Sequence, residues 1–537
     1  MNIKQQEVHY YGIISGICKK IGLVEEINGL TSSDPQRKVS VGQGVLALII
    51  NGMGLTMSKP MYLIPEFFRT KSTEILIGKG ISPDDLNDDS LGRALDQIAE
   101  TGVSKIFSHV AFRAAKVYKI ATNHLHGDTT NMQVHGDYEE DGDLIAFGYP
   151  KHGRSDLKQY ILSLITSFDG AVPLFMGVLR GNTSDTKHFK DLISLIEKDM
   201  ADSSEDIYFI LDAAAYCAEN LKTLDKVYLI TRVPERISAA RELKESYAFS
   251  PERLEGNDDY KFAEVCSVYA EVKQRWVVVY SRLAHEREKK TIQALVKKEK
   301  EQLEKDVTKF CKQTYSCHTD AEKDVEKFAK QYKFHKVCIH KIDQNQRYTS
   351  AGRPLKNSPT EIFYTIELKT EVLAGYIEKQ IKLGGMFVLA TTQLDDQKLP
   401  TQKVLLEYKG QSPLENRFNL IKNASCISSK VYLKNESRIT ALTMIICLSV
   451  LIYALAEREL RRALVALKET VPHQTKKPIQ NPTMKWIFQM FEGVGLVTVE
   501  TSSNTIQEVT NLTNILKKIL SLLGEECMSM YLLTPTG

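Results

Sequence analysis

The sequence predicts an α/β protein, on two observations. Short apolar runs of strand-favouring residues recur along the chain, and the clearest, Ile207–Leu211, is typical of a fully buried strand. Segments with a helical pattern stand between such runs, among them AAAYCAENL directly after Asp212 and a charged stretch from Ala284 to Phe310. Strands that alternate with helices are typical of a sheet covered by helices.

The elements follow in order along the chain. Residues 1 to about 117 have a helical pattern, in which apolar runs such as Val45–Ile50 are interrupted by glycine and proline. Thr122–Gly127 and the residues after it predict a strand that carries Asp128. WVVVYS at 276–281 and EIFYTIEL at 361–368 predict strands on either side of the long charged helix.

These elements divide the chain into five predicted segments. They are a helical N-terminal domain (1–117), the first part of a sheet core (118–236), a mixed insertion (237–383), the second part of the core (384–470) and a C-terminal tail (471–537). The apolar positions of the charged helix form one stripe without a sustained heptad, which favours packing over a coiled coil.

Composition narrows the class of protein without deciding it. The 537 residues, 43% hydrophobic and 26% charged, have the balance of a soluble globular protein of about three domains. The formal net charge of +3 is too small to indicate nucleic-acid binding by itself, so any basic surface must be local. The candidates are Lys151, Arg154 and Lys158 beside the first strands, and Arg458, Arg461 and Arg462 late in the chain. The alternative for such clusters is a solvated face.

The sequence also predicts a cytoplasmic protein without a membrane segment. Its nine cysteines are scattered, which is typical of a reducing cytosol, and no signal peptide follows Met1. The cluster formed by Cys311, Cys317, His318, His335, Cys338 and His340 lacks the two close ligand pairs of a zinc site. Ile439–Ala456 is 18 residues without a charge, but its polar residues and its isolation favour a buried core helix over a membrane span.

Three acidic residues carry most of the functional information. Asp128 lies in HGDTTNMQVHGDY, Asp212 ends the buried strand, and Glu415 lies in a helix predicted to begin at Ser412. A strand-to-helix junction such as that at Asp212 is a common place for ligand-binding residues in α/β sheets. Two metal ions that activate water and a phosphodiester need a few carboxylates brought from distant segments onto rigid elements. Lys422 follows Glu415 by two helical turns, so both side chains point from one face.

Each acid also has a purely structural interpretation. Asp212 is suited to cap the helix after it, and Ser412 with Glu415 fits a capping box. Asp128 follows Gly127 and is suited to a turn. Considered singly, each of these interpretations stays open.

The sequence around the acids resembles the DDE transposases of bacterial insertion sequences, in particular the branch with a Tyr-Arg-Glu-Lys motif. That motif has Tyr, two residues, Arg, three residues, Glu, six residues and Lys, and this chain has Tyr408, Gln411, Glu415 and Lys422 at those spacings. Gln411 stands in place of the arginine, and an amide binds phosphate less strongly than a guanidinium. Arg417 is near, but on a helix it is rotated away from Glu415.

The resemblance extends from about residue 120 to 460. The similar segments are GYPKHGRSDLKQYILSLITSFDGAVPLFMGVLRGNTSD after the first acid, VYLITRVPE after the second, and GGMFVLATT before the third. The segments VSVGQGVLALIINGMGL, YLIPEFF and LNDDSLGRALDQI resemble the lead domain of one insertion-sequence subgroup.

The resemblance implies a ribonuclease H-like core and a DNA transposase, an endonuclease and strand transferase. Asp128, Asp212 and Glu415 would hold two Mg²⁺ ions, with Mn²⁺ able to substitute. The residues implied or expected to contact DNA are Tyr408, Gln411, Lys422, Lys151, Arg154 and Lys158. The partners would be the inverted-repeat ends of a transposon and target DNA, bound by a homodimer in the synaptic complex, with the N-terminal domain recognising the ends. The protein would be nucleoid-associated in the bacterial cytoplasm.

Two other classes of function stay open. A ribonuclease H-like, metal-dependent nuclease without strand transfer would share the three acids, and a joining assay separates it from a transposase. A catalytically silent DNA-binding protein would keep the fold and lose the acids, which this chain retains. A glycosidase with paired carboxylates needs no metal and no lysine beside a phosphate.

Overall fold

A computed structural model of the chain describes residues 2–533, apart from 33, 35, 55–57, 135–137, 139–143, 149–155, 184–204, 225–226, 247–252, 255–256, 349–358, 411, 424–434 and 502–504. Three of the residues predicted to contact DNA, Lys151, Arg154 and Gln411, therefore lie outside the described residues.

The described strands and helices are named in chain order. The strands are β1 (Asn2–Glu7), β2 (His124–Gln133), β3 (Gln159–Ser167), β4 (Pro173–Arg180), β5 (Ile207–Leu211), β6 (Val227–Arg232), β7 (Arg253–Leu254), β8 (Asn257–Tyr269), β9 (Val272–Ser281), β10 (His335–Tyr348), β11 (Thr360–Val372), β12 (Met386–Thr391), β13 (Val471–Pro472), β14 (Pro478–Ile479), β15 (Gly495–Glu500) and β16 (Thr505–Thr510). The helices are α1 (Tyr11–Ile21), α2 (Leu23–Leu30), α3 (Val41–Gly52), α4 (Ile64–Phe68), α5 (Thr73–Leu76), α6 (Asp88–Thr101), α7 (Val103–Tyr118), α8 (Ala218–Thr223), α9 (Ser238–Ser246), α10 (Arg282–Phe310), α11 (His318–Ala329), α12 (Ala374–Leu383), α13 (Thr401–Lys409), α14 (Ser412–Asn423), α15 (Glu436–Ala466), α16 (Met484–Met490), α17 (Asn514–Leu523) and α18 (Glu525–Ser529).

Local signals explain the helices of the N-terminal segment. Ser40 and Gln43 form a capping box at the start of α3, in which each side chain accepts a hydrogen bond from the backbone of the other residue. Gly22 separates α1 from α2 in the left-handed conformation, with φ 69°, which a residue with a Cβ adopts at a cost. Asn87 caps α6 by accepting from the Ser90 amide.

A mixed sheet forms the centre of the molecule, with strand order β4-β3-β2-β5-β6-β12-β9-β8-β7. Strands β4, β3 and β2 pair antiparallel, whereas β5 and β6 run parallel to β2. The next strands, β12, β9 and β8, continue the sheet with antiparallel pairing. Every residue of β5 is buried, as its unbroken apolar run predicts. The α/β class predicted from the sequence is confirmed.

Helix α15 is the main core helix. It packs against α3, α6, α7 and β4. By length and composition it is apolar enough to cross a membrane, but 83% of its most apolar window is buried inside the protein. The predicted core helix over Ile439–Ala456 lies within it.

Two arginines of α15 serve packing rather than an exposed basic surface. The Arg458 side chain is 7% exposed and pairs with Asp169 and Glu459. Arg461 pairs with Glu457 at 2.9 Å and donates from Nε to the Pro482 carbonyl at 2.9 Å. For these two residues the basic cluster predicted late in the chain is therefore structural.

The predicted insertion contributes to two sheets. Strand β9, which contains the predicted WVVVYS strand, pairs with β12 and so belongs to the central sheet. Strands β10 and β11 form a separate antiparallel hairpin. The apolar stripe of α10 packs only in its second half, where Leu303 and Phe310 are buried together with the hairpin and α11. In its first half Leu295 is 48% exposed.

The two ends of the chain pack together. Strand β15 pairs with β1 on one side and with β16 on the other, and the Tyr531 hydroxyl donates to the His9 carbonyl at 2.5 Å. The domain boundaries at 117, 236, 383 and 470 stay predictions, and strand pairing crosses them at β1–β15 and at β9–β12.

Candidate active site

Strand pairing places the first two acids side by side. In the parallel pair β2–β5, His124 lies opposite Tyr208 and His126 opposite Ile210. Continuing that register by two residues places Asp128 opposite Asp212. Neighbouring strands lie about 4.8 Å apart, so the two carboxylates start from adjacent positions at the same level of the sheet.

Both aspartates belong to the same face of the sheet. Side chains alternate along a strand, so Asp128 shares a face with His124 and His126. On β5 the corresponding residues, Tyr208 and Ile210, pack with residues of α13 and of the loop before it. The carboxylates therefore belong to the face that α13 covers.

Backbone contacts hold each aspartate in place. The Thr129 amide donates to Asp128 Oδ1 at 2.7 Å, and Asp128 is half-buried. Asp212 ends β5 and accepts from the Ala214 amide at 3.0 Å, so the predicted capping interaction exists. The Thr231 hydroxyl of β6 donates to the Asp212 carbonyl at 2.7 Å. Capping and ligand binding are compatible, because this cap uses one carboxylate oxygen.

Glycine at position 127 permits this close approach of β2 and β5. A Cβ there would lie 2.8 Å from Leu211 Cδ2 and 3.1 Å from Phe209 Cζ. Both neighbours are fully buried. A larger residue would therefore push the two acid-bearing strands apart.

The third acid reaches the site from a helix. Glu415 lies in the first turn of α14, which begins at Ser412 as predicted, and its side chain is exposed. Helix α14 packs against β2, the strand of Asp128. The Ser412 side chain lies outside the described residues, so the capping-box alternative for Glu415 stays open.

The phenol of Tyr408 lies within electrostatic range of both the second and the third acid. Burial raises its pKa, and the charge of Arg232 lowers it. The negative charges of Asp212 and Glu415 raise the same pKa further. Because both carboxylates act on one hydroxyl group, they lie on the same side of the site.

Tyr408 and Glu415 belong to different helices, as Pro413 predicts. Helix α13 ends at Lys409, and α14 begins at Ser412. Lys422 lies half-buried in the last turn of α14, two turns after Glu415. Lys158 donates to the Tyr138 carbonyl at 2.7 Å and lies 5.6 Å from the Phe147 ring centroid, so it has a structural role beside any contact with DNA.

Arg417 does not replace the missing arginine of the motif. It is buried, and it donates to the carbonyls of Gly170 and Ala171 at 2.9 and 3.2 Å. It also pairs with Glu457 of α15 at 3.0 Å. Arg417 therefore fixes α14 to the β3–β4 turn and to α15.

The sequence interpretation missed Arg232, which follows from the strand register. Leu211 pairs with Thr231 in the parallel pair β5–β6, so the next position, Arg232, is level with Asp212. Its guanidinium lies 5.4 Å from the Phe387 ring centroid. A row of two carboxylates and one guanidinium thus crosses three neighbouring strands.

A second omission is a buried polar cluster directly below the aspartates. His124 Nδ1 lies 3.0 Å from Glu407 Oε1, and the Glu407 side chain is 4% exposed. Both ring nitrogens of the neighbouring His126 lack a hydrogen-bond partner, and burial is the main cause that lowers its pKa to about 4. The signal in the sequence was the alternation His124, His126, Asp128, which places all three on one face of a strand.

The donor chemistry of the site suits Mg²⁺ better than a soft metal. Mg²⁺ keeps several waters and uses one or two protein carboxylates, which the two aspartates would supply. In the part of the chain that the structure describes, no group of three or more His, Cys, Asp or Glu side chains is arranged to hold a metal ion. Asp128, Asp212 and Glu415, all among the described residues, therefore do not form a three-carboxylate cluster in this structure, and the aspartate pair is the part of the site that the strands define.

Two family models match the chain. The model of a domain of unknown function, DUF4277, matches residues 3–112, and the model of the transposase DDE domain matches residues 123–452. No curated protein matches the chain. A piggyBac transposase synaptic complex with hairpin DNA is a similar solved structure, with 8% identity and a TM-score of 0.41 over 91% of this chain and 82% of that one. Because the transposase model spans more than half of the 537 residues, this chain belongs to the DDE transposase family.

Proposed function

We propose that this chain is the transposase of a bacterial insertion sequence, of the branch with the Tyr-Arg-Glu-Lys motif. It would cut the transposon ends and join them to target DNA by phosphoryl transfer. The observation that supports the proposal is the register of the parallel strands β2 and β5, which, continued by two residues, puts Asp128 level with Asp212, together with the packing of the Glu415 helix against β2.

The core would be ribonuclease H-like. Its support is the half-sheet β4-β3-β2-β5-β6, an antiparallel three-stranded unit followed by two strands parallel to β2. The middle of β2 and the residue directly after β5 then carry the first two acids of the family pattern, and the helix of the third acid packs against β2.

Asp128, Asp212 and Glu415 would hold two Mg²⁺ ions, and Mn²⁺ would substitute. When bound, such ions supply an activated water or 3′-hydroxyl and stabilise the leaving oxygen. Asp128 and Asp212 are fixed for this task by the Thr129 and Ala214 amides. Glu415, on the exposed side, would complete the site as DNA is bound.

The charged and aromatic residues around the acids would orient the DNA. Lys422, on the Glu415 helix, would hold a phosphate near the cut as a point charge. Tyr408 would stack or hydrogen-bond beside it, and Arg232 would supply the guanidinium that Gln411 lacks. Lys151, Arg154 and Lys158 stay proposed contacts with the DNA backbone.

The partners would be the inverted-repeat ends of the element and a target duplex, bound by a homodimer. The N-terminal domain, with α1–α7, would recognise the ends. The protein would work in the bacterial cytoplasm on the nucleoid.

A cutting and joining assay tests the proposal and separates it from both alternatives. The probes are duplexes carrying the inverted repeats that flank the gene, and the same ends already cut to a free 3′-hydroxyl. With Mg²⁺ the full chain should nick the first and join the second to a plasmid. Nicking without joining would indicate a nuclease, and binding without either reaction a silent DNA-binding protein.

The matched variants are Asp212→Asn and Asp396→Asn. Asparagine at 212 keeps the capping interaction, so the fold is preserved while the carboxylate is lost. Asp396 is exposed and serves as the control for removing one negative charge. Asp212→Asn should abolish nicking and still bind end DNA, and nicking at the wild-type rate in that variant would contradict the proposal.

A further inference from the structure

The buried cluster below the aspartates contains a carboxylate, that of Glu407, in a position where an apolar side chain would pack equally well. Glu407 belongs to α13, its residue is 3% exposed, and its Oε2 has no hydrogen-bond partner in the described part of the chain. A carboxylate in that position loses hydration, which is unfavourable unless a partner compensates for it. The compensating group is the imidazole of His124, 3.0 Å away but off the line of a hydrogen bond.

The same imidazole stacks on a third residue. The rings of His124 and Tyr208 lie 4.7 Å apart between centroids at an interplanar angle of 18°. The two residues are also opposite one another in the β2–β5 ladder. His124 precedes Asp128 by four residues, and Tyr208 precedes Asp212 by four. The stack therefore lies two strand repeats, roughly 13 Å, below the aspartate pair on both strands.

We propose that Glu407, His124 and Tyr208 form a brace that positions the acid-bearing elements relative to one another. Tyr208 and His124 set the spacing of β5 and β2. The carboxylate of Glu407 fixes α13, the helix that carries Tyr408 and leads into the helix of Glu415. The brace rests on the proposed function, because it is defined by the site that it supports.

Further buried polar atoms lie next to the brace. His126 lies opposite Thr166 in the β2–β3 ladder. The Thr166 hydroxyl and both nitrogens of His126 are buried without a hydrogen-bond partner in the described residues. Buried polar atoms of this kind are generally bridged by internal water. These buried atoms lie on β2 and β3, next to His124 of the brace.

The chain offers a matched control for the central contact. Glu299 of α10 contacts the buried His335 through the same atoms, Oε1 and Nδ1, at 2.9 Å. This second pair lies in the insertion, where it joins α10 to the β10–β11 hairpin. It joins the same two kinds of side chain, in this case by a hydrogen bond, and has no connection to the aspartates along either strand.

The experiment compares Glu407→Gln with Glu299→Gln in the full chain. Three quantities are measured: nicking of an end duplex at saturating DNA, DNA affinity, and Mn²⁺ binding followed by electron paramagnetic resonance without DNA. Glu407→Gln should lower the nicking rate at least tenfold and weaken Mn²⁺ binding at least threefold, with DNA affinity unchanged. Glu299→Gln should behave as the wild type in all three.

A double-mutant cycle separates positioning from loss of stability. If His124 and Glu407 act as one unit, Glu407→Gln with His124→Gln should nick no more slowly than either single variant. Tyr208→Leu, which removes the stack, should resemble them, whereas Tyr208→Phe should retain activity. Additive losses, or equal activity of the Glu407 and Glu299 variants, would overturn the brace.

The outcomes also separate the brace from the proposed function. If the wild type binds Mn²⁺ but joins no DNA, the transposase proposal fails and the Mn²⁺ comparison still decides the brace. If the wild type nicks and joins DNA while Glu407→Gln matches it, the brace fails alone. Wild-type protein without any Mn²⁺ binding would overturn both.

A separate surface near the C-terminus carries a second inference. The segment from Thr470 to Phe491 contains three lysines and a histidine but no Asp or Glu. Lys476, Lys477 and Lys485 are exposed, and within the described residues none of their ammonium groups has an ion-pair partner. Elsewhere in the molecule basic residues such as Arg417 and Arg458 are paired.

This basic segment is held firmly on α15. Arg461 donates to the Pro482 carbonyl at 2.9 Å, and Gln480 to the Leu464 carbonyl at 3.2 Å. The Trp486 indole donates to the Pro472 carbonyl at 2.7 Å. Between these anchors lies a cleft of about 470 Å³ whose lining includes His473, Gln474, Lys477, Asn481, Thr483 and Trp486.

We infer that this basic segment binds the phosphate backbone of duplex DNA. Lysines, amides and hydroxyls are groups that contact phosphate oxygens, and the absence of acids from this segment leaves the positive charge of its lysines uncompensated. This inference rests on one part of the proposed function, namely that the chain binds DNA.

A salt series on a duplex of unrelated sequence tests the surface. Replacing Lys476, Lys477 and Lys485 by Ala should lower the slope of log affinity against log salt by about two to three, since each phosphate contact contributes about 0.9. The control replaces Lys297, Lys298 and Lys300 of α10, which have acidic neighbours, and should lower it by less than one. An unchanged slope with altered self-association in sedimentation would mark a protein interface instead and overturn the inference. An unchanged slope without altered self-association would also overturn the inference, whether or not the chain nicks the transposon ends.

Discussion

The first two acids and the third acid are held in different ways. Asp128 and Asp212 follow directly from the hydrogen-bonded ladder of two parallel strands, which ends two residues before them, and each accepts a hydrogen bond from a backbone amide one or two residues later. Glu415 is placed by a helix that reaches the sheet through side chains, with Arg417 as its main polar anchor. The aspartate pair is thus fixed by backbone geometry, whereas the position of the glutamate depends on a few contacts that single substitutions can remove.

The largest effect is expected at Arg417. Replacing it by Met removes the link from α14 to the β3–β4 turn and leaves Glu457 with Arg461 alone. Breaking a buried pair of this kind costs about 3 kcal/mol. Chemical denaturation should show that loss, and nicking should fall because the helix of Glu415 is released. A variant with wild-type stability would show that side-chain anchoring of this helix is unimportant.

A second substitution, Gly127→Ala, tests the close packing of β2 against β5. Gly127→Ala places a Cβ against Leu211 and Phe209, which are fully buried and packed. Overpacking of this degree costs about 1–3 kcal/mol and should separate β2 from β5. Gly375→Ala is the control, since nothing lies within 4 Å of its Cβ position. Equal stability and equal nicking for both variants would show that the close approach of the strands is not needed.

A third comparison separates the two roles of Asp212. Asp212→Ala loses both the cap and the carboxylate, whereas Asp212→Asn loses only the charge. Thermal unfolding should therefore show a loss of about 1 kcal/mol for alanine relative to asparagine, while both variants are inactive in nicking. If the asparagine variant were as unstable as the alanine variant, the cap would not contribute.

The smallest effect is expected at Lys422. Its replacement by Ala should reduce the salt dependence of end-DNA binding by about one phosphate contact and leave the fold intact. Lys382→Ala on α12 is the control for removing one exposed lysine. An unchanged salt slope together with unchanged nicking would mean that the spacing match at Lys422 has no function here.

The parts of the fold predicted from the sequence are those with a strong local signal. Ile207–Leu211 is a buried strand because its apolar run is unbroken, and α14 begins at Ser412 because Pro413 suits its first position. The level placement of Asp128 and Asp212 required the strand register, which no local pattern contains. The pairing of β15 with β1 joins residues almost 500 positions apart, so no local sequence pattern could predict it either.

Parts of the site were missed for a related reason. Glu407 and His124 lie 283 residues apart, and neither carries a local signal that names its partner. Arg417 was correctly judged to point away from Glu415, because helical rotation is a local property, but its contact with Glu457 could not be predicted. Sequence patterns indicate which elements carry the acids, and long-range packing determines how those elements meet.

The central claim, that the level pair of aspartates is the fixed half of a metal site, is tested most directly by Mn²⁺ binding to the full chain without DNA. Electron paramagnetic resonance should detect Mn²⁺ bound to the wild type and to Asp396→Asn. Binding should be lost in Asp128→Asn and in Asp212→Asn, but weakened only in part in Glu415→Gln. Wild-type affinity in either aspartate variant, or complete loss in the glutamate variant alone, would contradict the account.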